Sequence, residues 1–162
     1  KIKRVMELIA EATTIIASMS RVEEPEQNKL ARVAVSGLGI DVSPRDLAID
    51  DLACAESVTN LLREVMPGFP IITGTWTLWD KMRKDSRFAE VVSPIAGDII
   101  ISPTGTLRDA PFPGHVGIMK DSVTVMANRS SSGTWEEDYT VTTWKDRWAR
   151  VGFPVYYFRI RA

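Results

Sequence analysis

The hydrophobic pattern of this chain changes period near residue 92, and that change restricts the available folds more than any other feature. Before it, apolar residues recur three or four apart, as in Ile2, Met6, Ile9, Ala10, Ile16 and Met19, which is the spacing of one helix face. After it, short β-branched and aromatic runs stand between turn residues: "GDIIISP", "HVGIM", "VTVMAN" and "FPVYYFRI". Helices first and strands second predict an α+β fold, with N-terminal helices packed on a C-terminal antiparallel β-sheet. Four helices are expected: over residues 2–20, over "QNKLARVAVSGLG", over "LACAESVTNLLREVM" and over "TWTLWDKMRKDSRF". Gly37 and Gly39 close the second, and Pro67-Gly68 stops the third. Asp50 and Asp51 stand where the third would take an N-cap and a first-turn acid. "HVGIM" and "VTVMAN" flank "KDS" as a hairpin, and "TWKDRWARVG" reads as a short helical segment.

A chain of 162 residues has room for one core. Residues 1–44 are expected to form a helical segment packed on or extending a compact unit over 45–162. The formal net charge of -1 gives no global field for nucleic acid. The apolar run "ELIAEATTIIASM" is broken by Glu7 and Glu11 and is too short to span a bilayer. Because the chain starts at Lys1 rather than Met, an upstream portion is expected to have been trimmed or processed. One cysteine rules out an internal disulfide, and one cysteine with one histidine rules out a Cys/His structural zinc site.

That single cysteine, Cys54, stands near the start of the third predicted helix. Unpaired backbone N–H groups and the positive end of the helix dipole stabilise a thiolate there. Taken alone, Cys54 reads first as a small buried apolar residue, since free cysteine is among the most buried residue types. The single histidine, His115, opens a predicted strand between Gly114 and Gly117. Small neighbours leave its ring accessible and let another element approach closely. A cysteine at a helix start with a histidine at a strand start is the nucleophile and base layout of acyl-transfer enzymes. The hairpin pairing is expected to set Asn128 across from His115, where its amide would orient the imidazole; Asp98 is an alternative for that task.

The order of Cys54 at a helix start, then Gly97-Asp98-Ile99-Ile100, then His115-Val116-Gly117-Ile118, then a polar residue a dozen positions on, resembles the NlpC/CHAP group of papain-like cysteine peptidases and amidases. The likeness covers residues 45–162. It departs from the family's pattern in having "ACAES" around the cysteine and Asn128 where a second histidine is common. The resemblance implies a papain-like fold and hydrolysis of an amide in bacterial peptidoglycan by a Cys-His-(Asn) mechanism through a thioester, as in phage endolysins and wall-remodelling enzymes. It implies no metal or organic cofactor, and it places the action at the cell wall, with the protein secreted, periplasmic or phage-delivered.

Five tryptophans are many for this length. Trp144 and Trp148 are expected in the core. Trp76, Trp79 and Trp135, with Ser131 in the loop "RSSSGTW", are candidates for contact with glycan or peptide, since aromatic faces stack on such ligands. Two other readings remain open: a non-catalytic structural or wall-binding module of the same fold, and a thiol hydrolase acting on protein or small-molecule amides.

Overall fold

The structure, a computed structural model, describes residues 2–19, 24–43 and 53–162. Among the described residues, five α-helices run in the order α1 (Ile2–Met19), α2 (Glu26–Ser36), α3 (Cys54–Val65), α4 (Thr75–Lys84) and, late in the chain, α5 (Val141–Arg147). The strands are β1 (Phe88–Val91), β2 (Ile99–Ser102), β3 (Gly105–Leu107), β4 (Ala110–Phe112), β5 (His115–Met119), β6 (Thr124–Arg129), β7 (Thr134–Thr140) and β8 (Tyr156–Ile160). The expected α+β class is the observed one. The 44/45 boundary and the Asp50/Asp51 cap fall outside the described residues.

Six strands form one sheet in the order β1-β8-β2-β5-β6-β7, and every pairing is antiparallel. The remaining two, β3 and β4, make a small hairpin turning through Arg108 and Asp109, both at positive φ. That is the backbone of a two-residue primed turn.

Strand alternation divides the core. Ile99, Ile101, Val116, Ile118, Met126 and Trp135 meet Leu30 and Ala34 of α2, Val58 and Leu62 of α3, and Leu78 and Met82 of α4 on one face. Ile100, Met119, Val125 and Tyr157 meet Trp144 and Trp148 on the other. Both faces of β2 are therefore covered, which is why its run Ile99-Ile100-Ile101 is apolar throughout.

The Asp98 of "GD" is fully buried at the foot of β2. Its carboxylate takes both Nε and Nη2 of Arg159 on β8, at 2.9 and 2.7 Å. It also accepts from Gln27 Nε2 of α2 at 2.7 Å and from the Ile95 amide at 2.8 Å. Asp98 thus ties α2 to the sheet, and its acceptor positions are occupied by structural partners. By contrast, the described side chains of α1, residues 2–16, are all exposed.

Candidate active site

Cys54 is the first residue of α3, with Ala53 at the N-cap position. The helix opens without a capping side-chain hydrogen bond, and Cys54 stands in the first turn, where backbone N–H groups lack intrahelical acceptors. Apolar residues at helical spacing (Val58, Leu61, Leu62, Val65) bury α3 against the sheet. Its N-terminus is carried to the rim where β5 begins, and Cys54 itself is half-buried.

His115 is the first residue of β5 and pairs with Ser102 of β2. Its ring stacks on Trp144 and Trp148, with centroids 5.2 and 5.7 Å apart and planes within 21° and 17°. Both indoles are anchored: Trp144 Nε1 donates to Ser102 Oγ at 3.0 Å, and Trp148 Nε1 to the Pro113 carbonyl at 3.1 Å. The two tryptophans are core residues, as expected, and they also fix the plane of the imidazole.

Cys54 and His115 line one cleft of about 470 Å³, so the structure brings these two side chains together. Thr75, at the start of α4, forms an opposing part of the wall. Its hydroxyl lies 2.9 Å from Thr104 Oγ1 and accepts from the Thr104 amide at 2.9 Å, while Thr104 Oγ1 accepts from the Gly114 amide at 2.9 Å. This relay holds α4 in register with the residue before the histidine.

The polar residue beside the imidazole is not the expected Asn128. In the ladder, Gly117 pairs with Ala127, so Asn128 takes the next position and its side chain turns to the other face. It joins Met126 and its own partner Trp135, away from His115. A register one residue from the expected one reverses the face. The residue facing the imidazole is Asp138 of β7, with Oδ2 3.8 Å from His115 Nε2. Met126 pairs with Glu137 and Val125 with Tyr139, so Asp138 is the extra residue of a β-bulge. A bulge re-aims a side chain in this way. Asp138 Oδ1 is held by Arg129 Nε at 2.9 Å.

Burial works against a charge on His115, but the Asp138 carboxylate and the Cys54 sulfur outweigh it and raise the imidazole from 6.5 to about 9. Burial of Asp138 likewise opposes its charge, and His115 and Arg129 overcome that, lowering its pKa below the ordinary carboxylate value. A thiol, an imidazole and a carboxylate in sequence can activate a nucleophile and shuttle its proton.

The other expected contacts divide. Trp135 is fully buried and its Nε1 donates to the Ala34 carbonyl at 3.0 Å. It is a core residue of β7 rather than part of a loop, and no ligand reaches its faces. Ser131 is exposed in the turn after β6, while its neighbour Ser130 lines the cleft. Trp76 is exposed on α4 and lies 4.8 Å from Trp79, which continues to Tyr156 at 5.4 Å.

Among the described residues, no group of three or more His, Cys, Asp and Glu is placed to hold a metal ion. No described helix is long and apolar enough to cross a membrane.

No protein-family model matches the chain, and no curated protein sequence matches it. Among solved structures it is similar to one chain of the crystal structure of the type VI native effector–immunity complex Tae3–Tai3 from Ralstonia pickettii. That likeness has 16% identity, covers 82% of this chain and 96% of that chain, and has a TM-score of 0.47.

Proposed function

We propose that the protein is a cysteine peptidase or amidase that hydrolyses an amide bond of bacterial peptidoglycan, with Cys54 as nucleophile, His115 as general base and acid, and Asp138 as the orienting carboxylate. The observation that carries the reading is the convergence of the chain's only thiol and only imidazole on one cleft, with a carboxylate behind the ring. Peptidoglycan as the substrate rests on the resemblance of "GDII" and "HVGI" to the NlpC/CHAP group.

Since Nε2 faces Asp138, Nδ1 is the nitrogen left to exchange a proton with Cys54 Sγ. The thiolate attacks the amide carbonyl, and the oxyanion that forms is stabilised by the Cys54 backbone N–H at the helix start. Collapse breaks the C–N bond as His115 gives its proton to the leaving amine, leaving a thioester on Cys54. Water, deprotonated by His115, then attacks the thioester; the carboxylic acid product leaves and the thiol regains its proton. The 3.8 Å separation of His115 and Asp138 is longer than a good hydrogen bond, and such contacts shorten in the substrate complex. Trp76 offers an exposed aromatic face on α4 for glycan stacking, whereas Trp79 is half-buried against the core with the Arg83 guanidinium over its ring.

The test is solubilisation of purified peptidoglycan by wild type, Cys54→Ala and His115→Ala. Wild type should release fragments, and both folded variants should be inactive. Equal release by all three, or none by wild type, would sink the reading.

A further inference from the structure

The cleft is lined by three ionisable side chains besides the thiol and a tyrosine: His115, Asp138 and Arg147. His115 and Asp138 face each other, and the second oxygen of Asp138 is taken by Arg129. Arg147 is not among the cations that act on Asp138. It makes no ion pair or hydrogen bond to any described residue. Its guanidinium instead lies 5.2 Å from the ring centroid of Trp148, the same indole that stacks on His115. Stacking on a buried, hydrogen-bonded ring holds the guanidinium plane while leaving its N–H edge open.

We propose that Arg147 binds a carboxylate of the substrate next to the scissile amide, so that this enzyme selects acidic peptides over their neutral amides. The assignment rests on the hydrolase reading above. With His115 opposed to Asp138, Arg147 is the cation of the lining left to meet an anion of the substrate. An open guanidinium edge matches a carboxylate with two parallel N–H···O bonds. Arg147 also stands in the last turn of α5, where a cation complements the helix dipole, but Lys145 shares that turn and does not line the cleft. A dipole role needs only charge, whereas the two-pronged contact needs the guanidinium.

The test uses the only thiol in the chain. Alkylation of Cys54 by iodoacetate and by iodoacetamide is timed in wild type, Arg147→Met and Arg147→Lys. The iodoacetate/iodoacetamide rate ratio should fall roughly fivefold in Arg147→Met, with the iodoacetamide rate unchanged, and recover in Arg147→Lys. Synthetic peptides then carry a carboxylate or a carboxamide on the acyl side, or on the amine side, of the cleaved bond. Wild type should prefer one carboxylate peptide by about tenfold or more, chiefly in KM, and Arg147→Lys should not restore that preference. A ratio indifferent to residue 147, or cleavage indifferent to the carboxylate, overturns the assignment alone. Failure of both reagents to reach Cys54 overturns the hydrolase reading and the assignment with it. Cleavage of no peptide by wild type counts against the hydrolase reading, while the alkylation ratio still decides on Arg147.

Discussion

Asp138 Oδ2 lies 3.8 Å from His115 Nε2 while Asp138 Oδ1 is held by Arg129 at 2.9 Å. The carboxylate is thus fixed from one side and presented to the ring from the other. Because the chain has one histidine, a labelled imidazole gives a single NMR signal for this pair. Its midpoint should be near pH 9 in wild type and fall toward the ordinary 6.5 in Asp138→Asn. The alkaline limb of kcat/KM should move down with it, since the imidazolium supplies the proton for the leaving amine, and turnover should drop roughly 10- to 100-fold. An unmoved midpoint would assign Asp138 no hold on His115.

The same pair makes stability depend on pH. His115 has a folded pKa raised from 6.5 to about 9, so the protonated ring favours the folded state. That contribution is fully present below about pH 6.5 and is lost as pH rises through about 9. Its upper bound is about 3–4 kcal/mol at 1.36 kcal/mol per pH unit. Asp138, whose folded pKa is lowered, acts in the acid direction: its contribution is present above the ordinary carboxylate range and is lost on acidification. Urea midpoints at pH 6, 7.5 and 9.5 should therefore decline across the series in wild type and much less in Asp138→Asn. A flat profile in wild type would contradict the coupling.

The helices and the four inner strands β2, β5, β6 and β8 are legible in the sequence because burial imposes an apolar period on them. Of the six-stranded sheet, the strands the sequence does not show are its two edges, β1 (Phe88–Val91) and β7 (Thr134–Thr140), and the short β3–β4 hairpin goes unread as well. Edge strands carry polar side chains that resemble loop, and "TWEEDYT" does so. Residues 39–40 bond to Trp135 of β7 through the Gly39 and Trp135 amides, which helps place its indole in the core. Cys54 and His115 were legible because each residue type is unique and its local context is readable. Asp138 was not, because its aim is set by a bulge between Val125 and Met126, and nothing in the local pattern marks one extra residue. The face of Asn128 is equally hidden, because a hairpin's register must be known to the residue before a side chain can be placed.

Asp98 is held by structural partners on three sides: Arg159, Gln27 and the Ile95 amide. Asp98→Ala leaves the Arg159 guanidinium and Gln27 Nε2 without their buried acceptor, so unfolding should be easier by about 2–4 kcal/mol. Asp98→Asn keeps the shape and one acceptor and should cost less. Both variants, assayed cold and folded, should keep near wild-type turnover and the wild-type imidazole titration. Loss of activity in a fully folded Asp98→Asn would return Asp98 to the site.

Gly114, the residue before the histidine, is a sharper probe of how the cleft is built. A Cβ there would stand 2.3 Å from both the Ser102 carbonyl oxygen and the Thr104 amide, and neither backbone atom can rotate away. Gly114→Ala must therefore push β5 from the loop after β2, breaking the Gly114–Thr104 bond and moving the carbonyl of Pro113 that anchors Trp148. The fold should lose about 1–3 kcal/mol, as in other overpacked sites. The control is Gly152→Ala: φ is +92° but no atom lies within 4 Å, so it bears backbone strain of about 1 kcal/mol without displacing the ring. At matched stability, Gly114→Ala should shift the imidazole signal and lose most of its kcat/KM, while Gly152→Ala should do neither. Equal effects from the two would mean that the close approach at Gly114 does not position His115.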